Sequence, residues 1–131
     1  MIEMTIKILF LGQKWLGEKC FSLLNKELNN EFQLCGVVSN SSEDVWWQSN
    51  KIFTFCITNN IPFISNNQRN NEDILKNIKR FDVNTIISVQ HPWILPLKIL
   101  SEVKFIAFNL HNAKLPEYQG NNSCNHAILN G

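Results

Sequence analysis

The feature that most constrains this chain is an alternation of two hydrophobic rhythms. Short, nearly unbroken runs of β-branched and aromatic residues are separated by longer stretches whose apolar residues recur every three or four positions. Ile6 to Leu11 is such a run, closed by Gly12, and reads as a strand buried on both faces. From Lys14 to about Asn29, Leu16, Cys20, Leu23, Leu24 and Leu28 recur at helical spacing, and Asn29-Asn30 ends the pattern. Phe32 to Val38 reads as a second strand. Ser41 to Asp44 then caps a second helix whose inner face is Val45, Ser49, Ile52, Phe53 and Cys56. Pro62 to Ile64 gives a short third strand. A helix from about Glu72 to Arg80 follows, with Ile74, Leu75 and Ile78 inward, and then the strand Thr85 to Val89. Pro92 and Pro96 force Gln90 to Pro96 out of any ladder, and Phe105 to Leu110 is the fifth strand.

Strands that alternate with helices predict one α/β domain, with a parallel sheet covered by helices on both faces. In such sheets ligands collect at the carboxyl ends of the strands, where the strand order reverses. The residues to inspect are therefore Gly12 to Gly17, Ser39 and Asn40, Gln90 to Pro96, and Asn109 to Gly120.

Composition narrows the function. Twelve basic residues stand against 11 acidic ones, a net charge of +1, and Arg69 and Arg80 are the two arginines. That balance supplies no basic stripe for a nucleic-acid backbone, so nucleic acid is not the expected partner. No apolar run approaches the roughly 20 residues of a membrane span, and the acidic Met1 to Thr5 segment is no basic leader, so a cytoplasmic protein is expected. Cys20, Cys35, Cys56 and Cys124 are too scattered for a zinc site and read as reduced thiols; no metal is expected. The turn from Gly12 to Gly17 lacks G-x-G-x-x-G spacing, and Ser39-Asn40 stands where a nicotinamide-binding domain has an acid. Both features count against an oxidoreductase.

Asn109 and His111 lie two apart in an extended segment, so their side chains share one face of the sheet while Leu110 takes the other. An imidazole can take a proton from an attacking amine, and an amide N–H can stabilise charge on a carbonyl oxygen. Elsewhere the ordinary reading is structural. Trp46 and Trp47 read as partly exposed packing residues, the alternative being an aromatic wall or a subunit contact. His91 reads as a loop histidine with an ordinary hydrogen bond, or else as a side chain turned into the cleft, and Cys124 has no paired base.

The stretch from Phe108 to Gly120, with Asn-x-His and then Leu-Pro-x-Tyr-x-Gly, followed by Asn125-His-Ala-Ile-Leu-Asn-Gly131, resembles the formyltransferases that use N10-formyltetrahydrofolate. The resemblance runs over essentially the whole chain. In the detail of Ser88 to Pro96 and of Asn109 to Pro116 it is similar to the sugar N-formyltransferases, which formylate dTDP-linked amino-dideoxy sugars, the dTDP-4-amino-4,6-dideoxyglucose type above all.

That resemblance implies a Rossmann-like, doubly wound, mostly parallel sheet, and transfer of a formyl group from N10-formyltetrahydrofolate to a primary amine. It implies Asn109 and His111 as catalytic residues, and Gln90, Trp93, Ile94, Leu95, Pro96, Leu115, Pro116 and Gly120 on the folate side. Gly12, Lys14 and His126 would face the nucleotide-linked sugar. The family's third catalytic residue is an Asp farther along, and no Asp follows Asp82 here. Residues 1–131 are accordingly expected to form a catalytic-core domain that is incomplete on its C-terminal side, weakly active or inactive alone, and prone to pair as a homodimer through uncovered apolar surface. Formylation of glycinamide ribonucleotide or methionyl-tRNA is the rival enzyme reading. A non-catalytic folate- or nucleotide-binding module is the rival of another kind.

Overall fold

In the computed structural model, residues 4–41 and 51–111 are described, and they form five strands and four helices. The strands are β1 (Ile6–Gly12), β2 (Phe32–Ser39), β3 (Phe63–Ser65), β4 (Thr85–Val89) and β5 (Ile106–Leu110). The helices are α1 (Lys14–Glu27), α2 (Lys51–Thr58), α3 (Asn71–Phe81) and α4 (Leu97–Leu100). The strands make one parallel sheet in the order β3-β2-β1-β4-β5. The order reverses between β1 and β4, and this opens the crevice expected of a doubly wound sheet at their carboxyl ends.

β1 sits in the middle, and Leu9, Phe10 and Leu11 are completely buried. Alternation sends its side chains to two cores. Leu9 and Leu11 join Val38, Ile86, Ile74 and Ile78 of α3, and Ile99 of α4. Ile8 and Phe10 join Val37, Val89, Phe21 of α1, and Ile52 and Cys56 of α2. A continuous apolar run is what such a two-sided position requires.

α1 ends at Glu27, two residues before the Asn pair, and its buried residues are Gly17 and Phe21. Leu23, expected inward, is 62% exposed. The cause is Gly17. A Cβ there would lie 3.1 Å from the carbonyl carbon of Gly12 and 3.5 Å from the Val89 oxygen, so the helix backbone rests on the ends of β1 and β4. That contact fixes the helix rotation. Phe21, one turn on, faces the sheet, and Leu23 is carried about 200° round from it.

α3 runs one residue further at each end than the spacing predicted. Asn70 caps it by accepting the Asp73 N–H at 2.9 Å, and Asp82 closes it in the left-handed conformation, with φ 52°. β3 is shifted one residue from the expected Pro62 to Ile64. The single turn α4 was not signalled by any periodicity, being too short to show one. The expected cap at 42–44, together with Val45, Trp46, Trp47 and Ser49, lies outside the described residues.

β5 departs most from expectation. It has the apolar composition of a buried strand, yet every residue of it is exposed. Among the described residues β5 pairs on the β4 side alone, and no helix is packed over it. Phe105, Ile106, Phe108 and Leu110 are 54%, 45%, 48% and 44% exposed.

Candidate functional site

The carboxyl ends of β1, β2, β3 and β4 deliver polar side chains to the crevice. After β1 the chain turns through Gln13 into α1, with Lys14 exposed at a φ of 60°. Gly12 must be small because the Phe10 ring occupies the space its Cβ would need, the nearest ring atom 2.5 Å away. Ser39, at the end of β2, donates its hydroxyl to the Gly12 carbonyl at 2.6 Å and ties the two strand ends together. Gln13 provides no side-chain cap to α1 and no acid stands in the first turn, so the positive end of that helix carries no internal counter-charge.

After β4, Gln90 takes a left-handed φ of 49°, a costly conformation for a residue with a Cβ, and turns the chain out of the sheet. In the loop that follows, Trp93 and Leu95 pack against the core on the α3 side, whereas Ile94 is 89% exposed. Arg69 stacks over the Trp93 ring at 5.6 Å.

Sequence reasoning did not foresee the hydrogen-bond cluster centred on Asn66, which follows β3. Its side-chain amide donates to Gln13 Oε1 at 3.0 Å and to Asn40 Oδ1 at 2.6 Å. Its Oδ1 meets His91 Nε2 at 2.6 Å. His91 Nδ1 in turn accepts the Trp93 N–H at 3.3 Å, so the proton of a neutral ring must sit on Nε2 and be donated to Asn66. Burial, and after it the neighbouring Arg69 guanidinium, push the His91 pKa down to about 4, which keeps the ring neutral. The main chain of Asn66 is also engaged: its N–H donates to the Ser39 carbonyl at 2.9 Å, and its carbonyl accepts from Arg69 at 2.7 Å. The signal in the sequence was weak, because Asn66 is one of many asparagines in an Asn-rich loop.

Asn109 lies in register with Ser88 of β4, on the face that carries Leu11 and Ile86. His111 follows β5 directly and is half-buried. The Gln90 N–H reaches the Leu110 carbonyl at 3.4 Å, so the exit of β4 and the end of β5 touch. Asn109, on β5, and His111, just after it, are thus beside the 90–96 loop, and neither takes part in the hydrogen bonds given above for Asn66. Leu115, Pro116, Gly120, Cys124 and His126 lie outside the described residues. Cys35 and Cys56 are buried, and burial pushes the Cys56 thiol up to about 12, which makes it inert as a nucleophile. Among the described residues no group of three or more metal-ligating side chains comes together, and no helix is long and apolar enough to cross a membrane.

A parallel sheet reversing between β1 and β4, with its polar loops gathered at the carboxyl ends, defines a Rossmann-like α/β domain. Within that class the chain belongs to the formyl transferase family, whose model matches residues 6–131. It is 26% identical to a methionyl-tRNA formyltransferase of Endomicrobium trichonymphae, over 96% of this chain and 40% of that protein. It is 28% identical to one from Sulfurihydrogenibium sp., over 96% of this chain and 41% of that protein. The chain thus spans about two fifths of the length of these relatives. Its fold is similar to that of phosphoribosylglycinamide formyltransferase from Bacillus halodurans, with a TM-score of 0.71 at 11% identity, covering 95% of this chain and 66% of that one. It is also similar to formyltetrahydrofolate deformylase from Pseudomonas putida, with a TM-score of 0.65 at 16% identity, covering 100% of this chain and 46% of that one.

Proposed function

We propose that this chain is the folate-side catalytic core of an enzyme that moves a formyl group from N10-formyltetrahydrofolate to the primary amine of a dTDP-linked amino-dideoxy sugar. The observation that carries the reading is the Asn109–His111 pair at the carboxyl end of β5, beside the loop that leaves β4. An amide donor and a titratable ring on one face are the two groups that acyl transfer to an amine needs. His111 takes the proton from the attacking amine as the new C–N bond forms, and the Asn109 amide donates to the formyl oxygen as charge builds there. The bond from the formyl carbon to N10 then breaks, and the proton goes to that nitrogen.

The co-substrate's place is the 90–96 loop. The fit rests on an exposed apolar side chain, Ile94, and on backbone groups of 91–95 that belong to neither helix nor strand. Across the crevice, the uncapped start of α1 and Lys14 suit a pyrophosphate. Both co-substrates are metabolites of the cytoplasm, and the protein would work there.

The sugar acceptor is supported by the Ser88 to Pro96 and Asn109 to Pro116 segments and by the charge balance of +1, which is poor for holding tRNA. The names of the curated relatives favour a second reading, in which methionyl-tRNA is the acceptor. Transfer assays on the full-length protein decide the matter. Formylation of dTDP-4-amino-4,6-dideoxyglucose, lost in Asn109→Ala and His111→Ala, is the expected result. Formylation of methionyl-tRNA or glycinamide ribonucleotide in its place would overturn the acceptor, and a folded protein that binds no 5-formyltetrahydrofolate would overturn the whole reading.

A further inference from the structure

The Asn66 cluster joins two loops that the proposed function gives to two different ligands. One amide side chain holds Gln13, in the turn next to Lys14, and also His91, which holds the Trp93 peptide. We infer that His91 and Asn66 form one positioning unit that fixes the course of the 91–95 segment and locks it in register with the Gln13–Lys14 turn, so that the folate and nucleotide subsites are set by a common brace. The inference rests on the function proposed above, but its geometry does not.

Three observations carry it. First, the ring of His91 is used at both nitrogens in a single tautomer, one accepting from Trp93 and the other donating to Asn66, so its orientation is fixed twice over. Second, Asn66 is engaged at every polar group: its main-chain N–H and carbonyl and both ends of its amide bond to residues from four different segments. Third, each residue it holds adjoins a left-handed one, Gln13 next to Lys14 at φ 60° and His91 next to Gln90 at φ 49°, a conformation that relaxes unless its surroundings over-determine it. Neither His91 nor Asn66 is assigned contact with reacting atoms. They act through the loops.

The test compares wild-type full-length protein with His91→Ala, His91→Asn and Asn66→Ala. Asparagine at 91 keeps an acceptor near the Nδ1 position and so can still take the Trp93 N–H, while losing the link to Asn66. Hydrogen exchange at the Trp93 amide reads the geometry without any ligand. It should quicken at least about tenfold in His91→Ala and stay near wild type in His91→Asn. Calorimetry with 5-formyltetrahydrofolate and with dTDP reads the consequence. His91→Ala should weaken the folate about tenfold and leave dTDP unchanged, whereas Asn66→Ala should weaken both, each lost hydrogen bond accounting for a few-fold. A role confined to stability would lower the melting temperature and leave both affinities where they were. A folded His91→Ala protein with wild-type Trp93 exchange, or folded His91→Ala and Asn66→Ala proteins that both keep wild-type affinity for the two ligands, overturn the inference. A wild-type protein that binds no folate overturns the function proposed above, and the Trp93 exchange then decides the brace by itself.

Discussion

β1 and β5 have much the same composition and opposite fates. Ile6 to Gly12 runs through the middle of the sheet with Leu9, Phe10 and Leu11 sealed on both sides, while Ile106 to Leu110 is exposed from end to end. The difference lies in their neighbours. β1 is flanked by β2 and β4 and covered by helices on each face, whereas β5 meets β4 alone among the described residues. The strand with the strongest packing supplies rigidity and the strand with the weakest supplies the candidate chemistry, so stability and activity should answer to different substitutions.

The largest expected contrast is a pair of truncations. Phe10→Ala removes a fully buried ring tilted against Phe21 with centroids 5.3 Å apart and should cost about 3–5 kcal/mol in urea unfolding. Phe108→Ala removes a half-exposed ring and should cost about 1 kcal/mol or less. Equal losses would mean that β5 is covered in solution.

Acid should act on the central crevice through His91. Below about 6.5 the unfolded chain takes a proton that folded His91 refuses until about 4, so stability is lost as the pH falls through that window, by at most about 3 kcal/mol. Urea titrations at pH 7 and pH 5 measure it. The loss should shrink in His91→Asn; an unchanged pH dependence would detach His91 from the cluster.

Gly17→Ala pushes α1 off the ends of β1 and β4 and should cost about 1–3 kcal/mol, read by thermal melting. At the bottom of the scale, Lys76→Ala breaks the exposed 3.2 Å pair with Glu72 and should change stability by about 0.5 kcal/mol or less, well away from both strands.

The central part of this fold was legible because two-sided burial leaves a plain trace: Ile6 to Leu11 and Thr85 to Val89 admit few other readings. The two-residue spacing of Asn109 and His111 was also plain in the sequence, and the fold puts them at, and just after, the end of β5. Three things were hidden, each for a physical reason. Helix rotation in α1 was decided by a backbone contact at Gly17, which no hydrophobic count registers, and so Leu23 was misjudged. Exposure of β5 depends on partners, and composition says nothing of partners. The Asn66 cluster brings together residues 13, 40, 66 and 91, each unremarkable alone, through a parallel sheet that aligns strand ends far apart in sequence.

That last arrangement bears on how such a domain can be altered. A loop exchange between relatives that replaced Gln90 to Pro96 alone would import a new partner for an asparagine already committed to two other loops. Substitutions at 13, 40, 66 and 91 should therefore be epistatic, neutral in matched sets and harmful singly, so that the loops of this crevice are exchangeable as a set and poorly exchangeable one at a time.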